Sequence, residues 1–124
     1  MYSTDVCLPI SKITECVNFA DAEAKKFGLR APMVGHLGDG NFHVLLPYDP
    51  EKKETYQKIR KFSDILIEKT LELEGTITGE HGVGLHKKDY LLKEHGDNLP
   101  VMKSIKRTIA VSYTHLRAHE TDYY

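Results

Sequence analysis

The stretch Gly35-His36-Leu37-Gly38-Asp39-Gly40-Asn41-Phe42-His43 constrains this chain more than any other. Its Asp39-Gly40 step is a two-residue hairpin signal, because both central residues of that turn need positive φ. With the turn centred there, Gly38 faces Asn41, Leu37 faces Phe42 and His36 faces His43. Opposed residues of an antiparallel pair share a face, with Cβ atoms roughly 4.5–5.5 Å apart. Two imidazoles held that way are placed to close on one metal ion. A second polar cluster, Gly79-Glu80-His81-Gly82-Val83-Gly84, supplies a carboxylate and a third imidazole.

The remainder reads as the scaffold that brings these two stretches together. Residues 4–10 carry Val6, Leu8 and Ile10 at period two, which predicts a strand reaching Pro9. Ser11 is the expected N-cap of a helix whose apolar face runs Ile13, Val17, Ala20, Ala24 and Phe27, with Gly28 ending it. Residues 32–37 and 42–46 are the hairpin arms. Asp49-Pro50-Glu51 opens a second helix with the stripe Ile59, Phe62, Leu66, Thr70 and Leu73, and Gly75 stops it. Residues 76–78 form a short β-branched strand that delivers Gly79. The order β-α-β-β-α-β predicts an α+β, ferredoxin-like fold: an antiparallel sheet with two helices on one face. Further helices follow near residues 89–94 and 99–109. Residues 110–124 keep no apolar period and are expected to be a foreign, disordered tail.

Composition excludes several classes. At 124 residues the chain is one domain or a piece of one. A formal net charge of −1 lacks the basic excess of a general nucleic-acid binder. No apolar run approaches the ~18–20 residues that cross a bilayer, and the N-terminus shows no signal-peptide core. Cys7 and Cys16 fit no zinc or redox spacing and are expected as buried thiols in a reducing compartment. A strand so soon after Met1 suggests a fragment whose upstream part is missing.

Two imidazoles and a carboxylate make a three-ligand set with open positions, which marks a catalytic rather than a structural site. Zinc, manganese and iron(II) all suit it. His81 is then free as a proton acceptor, or is itself the third ligand with Glu80 as the base; spacing alone leaves both open. Glycines flanking Glu80-His81 allow close backbone approach. Neither glycine-rich stretch fits the phosphate-cradling or dinucleotide patterns. His86 and His95 lie in polar surroundings and are expected to be solvated. His115 and His119 fall in the tail and are set aside. A non-redox metal-binding module of ferredoxin-like fold, or a metallohydrolase, fits the same ligands.

With those residues in hand, the chain resembles the C-terminal domain of the FAD-linked oxidases, flavoenzymes that oxidise D-2-hydroxy acids. The resemblance rests on Thr4-Asp5-Val6-Cys7-Leu8-Pro9-Ile10-Ser11, on Gly35 to His43, and on Thr78-Gly79-Glu80-His81-Gly82-Val83-Gly84. The first motif is most similar to the cytochrome-linked D-lactate dehydrogenase branch; glycolate oxidase subunits and D-2-hydroxyglutarate dehydrogenases share the other two. The resemblance covers roughly residues 4–109 and implies that residues 1–109 are part of a metal and substrate domain. It implies that His36, His43 and Glu80 bind zinc or manganese, and that His81 takes the hydroxyl proton as hydride passes to FAD. Asn41, with His36 and His43, would line the substrate pocket. FAD would be held by a preceding domain, so this piece alone is expected to be inactive. A cytochrome c or quinone would accept the electrons, with no nucleic acid and no membrane span involved. The expected compartment is the bacterial cytoplasm or inner-membrane periphery, or a mitochondrion. Where the family continues past residue 109 into an Asp-Pro turn, this chain has its unrelated tail.

Overall fold

The computed structural model describes residues 1–110, and the period-two pattern near its N-terminus lays down the sheet. Strands β1 (Tyr2–Ser3) and β2 (Val6–Cys7) are two halves of one antiparallel register. Both pair with the strand Asn41–Leu46, through Tyr2↔Leu46, Ser3↔Leu45, Val6↔Phe42 and Cys7↔Asn41. That strand takes the label β4, since β3 (Met33–Val34) precedes it and pairs along its other edge. On the far side of β2, Thr76 makes a single bridge with Cys7, with N···O distances of 2.8 and 3.2 Å. The spatial order is therefore Thr76, β1/β2, β4, β3, the antiparallel ferredoxin-like arrangement expected from the sequence.

Two details differ from the expected strands. The first strand starts at Tyr2 and ends at Cys7. Ile10 opens a 3-10 turn, Ile10–Lys12, and is 66% exposed. Because Lys12 N–H already bonds the Pro9 carbonyl at 2.8 Å, Ser11 lies inside that turn and caps nothing. Residues 76–78 form one bridge rather than a strand. Beyond Ile77 the Thr78 hydroxyl and the Gly79 N–H bond the Asp5 carboxylate, which draws the chain off the ladder.

Helix α1 (Ile13–Lys26) buries Ile13, Cys16, Ala20 and Ala24, and leaves Val17 and Phe27 half-buried. It ends as expected, with Gly28 at φ +66° and the Leu29 and Gly28 N–H groups on the Ala24 and Lys25 carbonyls. Helix α2 (Lys53–Glu72) starts after a turn in which Asp49 Oδ1 accepts the Glu51 N–H at 3.0 Å. Ile59, Phe62, Leu66, Thr70 and, just past the helix, Leu73 are all buried, as the stripe predicted. Each large apolar side chain so buried is worth ~1.5–3 kcal/mol, so this face anchors the fold. The two helices pack together and α2 lies against β2. Burial also pushes the Cys16 thiol pKa up. Cys7, by contrast, is only half-buried.

Strand alternation sorts the sheet into two faces. Val6, Leu8, Phe42, Val44 and Leu46 are buried in the core, and Tyr2, of the same parity, bonds Ser63 of α2 at 3.2 Å. Asp5, Cys7, Asn41 and His43 project from the opposite face.

The compact unit just described is Met1–His81; a second begins at Gly82. Within the second, α3 (Lys88–His95) and α4 (Leu99–Ile109) fall where the sequence placed helices. Val101, Met102, Ile105 and Ile109 of α4 are exposed. The predicted tail lies, apart from Ala110, outside the described residues.

The end of α2 yields a stability prediction. Glu74, not Gly75, takes the left-handed conformation, at φ +63°. Gly75 is required for close approach instead, since a Cβ there would lie 2.6 Å from the Cys7 carbonyl. A non-glycine residue in that region costs ~1–2 kcal/mol. Glu74→Gly should therefore raise the stability of the chain by about 1 kcal/mol, read as a higher urea midpoint with an unchanged slope.

Candidate metal centre

The hairpin forms, but in a different register from the one expected. Leu37–Asp39 wind into a 3-10 turn, and Gly40 alone in the turn has positive φ, at +80°. The Asp39 and Asn41 N–H groups both bond the His36 carbonyl, at 2.9 and 3.3 Å. Because Asp39 keeps a negative φ, the two-residue turn does not close. The partner of His43 is Val34, and His36 lies on the loop, 68% exposed. The two imidazoles are thus not opposed across the ladder.

His43 is held from within the sheet. Val44 donates its N–H to Thr4 Oγ1 at 2.9 Å, and the Thr4 carbonyl faces His43 Nδ1 at 3.1 Å. A carbonyl only accepts, so a proton on Nδ1 completes that bond and Nε2 is turned towards the cleft side of the sheet. That Nε2 lies 3.2 Å from Glu80 Oε1. An imidazole nitrogen and a carboxylate oxygen at this distance share a proton or a cation. The His43 side chain is 9% exposed, whereas Glu80 and His81 are 49% and 66% exposed.

Glu80 sits at the middle of the cluster. Its Oε1 is 3.6 Å from His81 Nε2, and its Oε2 is 4.0 Å from His36 Nε2. The His43 and His81 rings meet edge to face, with centroids 5.2 Å apart. One ligand atom from each of His43, Glu80 and His81 falls within 4.8 Å of the others. The structure thus brings together His43, Glu80 and His81 as a tight trio, with His36 reaching in from the loop to the far oxygen of Glu80.

Beside this cluster lies a cleft of about 200 Å³ lined by Cys7, His36, Asp39, Asn41, Gly79 and Glu80. Asn41 donates from Nδ2 to Asp5 Oδ1 at 2.9 Å and to the Val6 carbonyl at 3.1 Å. Its Oδ1 is buried and without a hydrogen-bond partner among the described residues. Gly79 packs so closely on that amide that a Cβ would overlap it. His86 is exposed as expected, while His95 is half-buried, with its ring 3.4 Å from Glu94. His115 and His119 lie outside the described residues.

The residue that sequence reasoning left without a role is Asp5. It is 4% exposed. Its Oδ2 accepts the N–H groups of Gly79, Glu80 and His81 at 3.0, 3.1 and 2.9 Å, and the Thr78 hydroxyl at 3.0 Å. Its Oδ1 takes Asn41 and stands 3.5 Å from His43 Nδ1. A signal was present: aspartate is poor in strands, yet Asp5 interrupts an alternating strand at an outward position.

An antiparallel α+β domain with histidines and a glutamate converging beside a cleft defines a class of candidate metal-dependent domains. The comparisons narrow it: residues 1–109 match the family of FAD linked oxidases, C-terminal domain, and the chain belongs to that family. It is 42% identical over 107 residues to a mitochondrial D-lactate dehydrogenase [cytochrome] of Kluyveromyces lactis, covering 86% of this chain and 18% of that protein. It is 39% identical over 109 residues to a probable mitochondrial D-lactate dehydrogenase of Danio rerio, covering 87% and 22%. A glycolate oxidase subunit of Bacillus subtilis is 36% identical over 103 residues, covering 82% and 22%. The chain therefore spans about a fifth of the length of these relatives.

Acid titration should expose the role of Asp5 in stability. Burial alone would raise its pKa. The His81 N–H, the Asn41 and Thr78 side chains and the Gly79 N–H outweigh that and lower it from 3.8 to about 2. A carboxylate depressed on folding stabilises fully above its unfolded pKa, and the contribution is lost as pH falls through the folded value. Its size is on the order of 2 kcal/mol. Between pH 4 and pH 2 the wild-type chain should lose more unfolding free energy than Asp5→Asn, measured by urea titration at each pH.

Proposed function

We propose that this chain is the metal and substrate domain of a longer FAD-dependent D-2-hydroxy acid dehydrogenase, with D-lactate as substrate and pyruvate as product. The observation that carries this is the 3.2 Å approach of His43 Nε2 to the Glu80 carboxylate, within a cluster whose ligand atoms all lie within 4.8 Å of one another. Such a contact fits a cation-binding pair, and the Nδ1 bond to Thr4 is the outer-shell anchor that metal-ligating histidines use. In this reading His36, His43 and Glu80 hold zinc or manganese. The chemistry such a cation supplies is Lewis-acid lowering of the 2-hydroxyl pKa. Hydride acceptance is supplied by FAD, bound outside this chain.

The chain's own residues do the rest. His81, exposed beside Glu80, takes the hydroxyl proton at Nε2; imidazole as a class suits that task near neutral pH. Asn41, the other substrate-lining residue with His36 and His43, offers its unpartnered Oδ1 to a donor in the cleft. The D-lactate dehydrogenase and mitochondrial names of the relatives support the substrate and, for a eukaryotic source, the compartment; in a bacterium the cytoplasm or inner-membrane periphery fits. Cytochrome c or a quinone completes the electron path. No helix among the described residues is long and apolar enough to cross a membrane.

A second reading rests on the tight trio. There His43, Glu80 and His81 hold the cation and His36 receives the proton. Cobalt(II) titration of the chain, followed by visible absorption, separates the two. In the first reading His36→Ala weakens binding by at least about tenfold while His81→Ala leaves it near wild type; the second requires the reverse. In the full-length enzyme His81→Ala should lower D-lactate oxidation by ~10²–10⁴-fold with flavin still bound. Near-normal turnover would remove His81 from the proton-transfer role.

A further inference from the structure

The exposed ligands of this centre lack the packing that would hold them. Glu80 is about half and His81 about two-thirds exposed, so apolar burial does not fix the corner that carries them. What fixes it is a set of backbone bonds to a residue some seventy-five positions earlier. Three consecutive N–H groups, those of Gly79, Glu80 and His81, converge on Asp5 Oδ2, with the Thr78 hydroxyl as a fourth donor. Successive N–H groups folded round one anion form a concave nest, a geometry that sets the direction of each Cα–Cβ bond leaving it. The other carboxylate oxygen accepts from Asn41 and lies 3.5 Å from His43 Nδ1.

We propose that Asp5 is the positioning residue of this centre: its carboxylate fastens the Glu80–His81 corner to the strand that carries His43. Ligand atoms from separate segments are thereby held within reach of one cation before it arrives. The proposal rests on the metal-binding reading given above. Gly79 is part of the device, because a side chain there would push the corner away from the Asn41 amide and the carboxylate. Asp5 touches neither the cation nor the substrate in this scheme; it acts through the geometry of the groups that do.

A purely structural hydrogen-bond acceptor would stabilise the fold without tuning the site, and the test separates the two roles. Cobalt(II) affinity and amide hydrogen exchange are measured on the full chain, on Asp5→Asn and on Ile59→Val, a core variant distant in role. Asp5→Asn is expected to bind cobalt(II) ~10–100-fold more weakly, the range seen when outer-shell partners of metal ligands are lost. Its Gly79, Glu80 and His81 amides should lose their protection. Ile59→Val should lose Tm yet bind cobalt(II) as the wild type does. Thr78→Val removes one donor to the same oxygen and is expected to shift affinity in the same direction by less; it decides the matter if Asp5→Asn fails to fold. Unchanged affinity in a folded variant whose 79–81 amides have become unprotected would overturn the proposal. A wild-type chain that binds no cobalt(II) would remove the metal reading and the proposal together, whereas equal binding by wild type and variants removes the proposal alone.

Discussion

A carboxylate taken out of water must find partners or lose its charge, and Asp5 resolves that demand with the chain itself. Five hydrogen bonds from Thr78, Gly79, Glu80, His81 and Asn41 replace its hydration. Meeting that demand has consequences well beyond one residue. It draws the chain after Thr76 away from the sheet, so the fourth strand shrinks to a bridge. It also sets Glu80 and His81 over the face of the sheet from which His43 projects. The irregular part of this fold and its candidate site have the same origin.

The apolar half of the molecule was legible in the sequence because it obeys one period. The α2 stripe from Ile59 to Leu73 is buried throughout, and the strand order follows from the alternation of elements. Hidden from periodicity were the places where a local polar bond overrides it. Asp39-Gly40 carries a hairpin signal, yet the His36 carbonyl gathers two N–H groups and the loop winds into a 3-10 turn, so His43 meets Val34. Gly75 reads as a helix stop, yet Glu74 supplies the left-handed residue while Gly75 admits the Cys7 carbonyl.

The candidate site was legible in composition but not in arrangement. His36, His43, Glu80 and His81 were each identifiable as polar residues set among glycines. Their convergence was expected through a ladder pairing that does not occur. It arises instead through Asp5, a contact between residues far apart in sequence that no spacing rule encodes. The long separation explains why spacing alone assigns Asp5 no role beyond its place in a strand.

The interruption at Thr4 has a further consequence. By lending its carbonyl to an imidazole instead of to the neighbouring strand, the sheet gives up one rung and gains a fixed ring. Rotating that ring would break its bond to the Thr4 carbonyl, so the orientation of His43 is tied to the backbone of the sheet. A ligand arriving there meets a ring ordered by the sheet and a corner whose backbone is tied to Asp5. Little ordering is then left to the moment of association, which lowers its entropic cost.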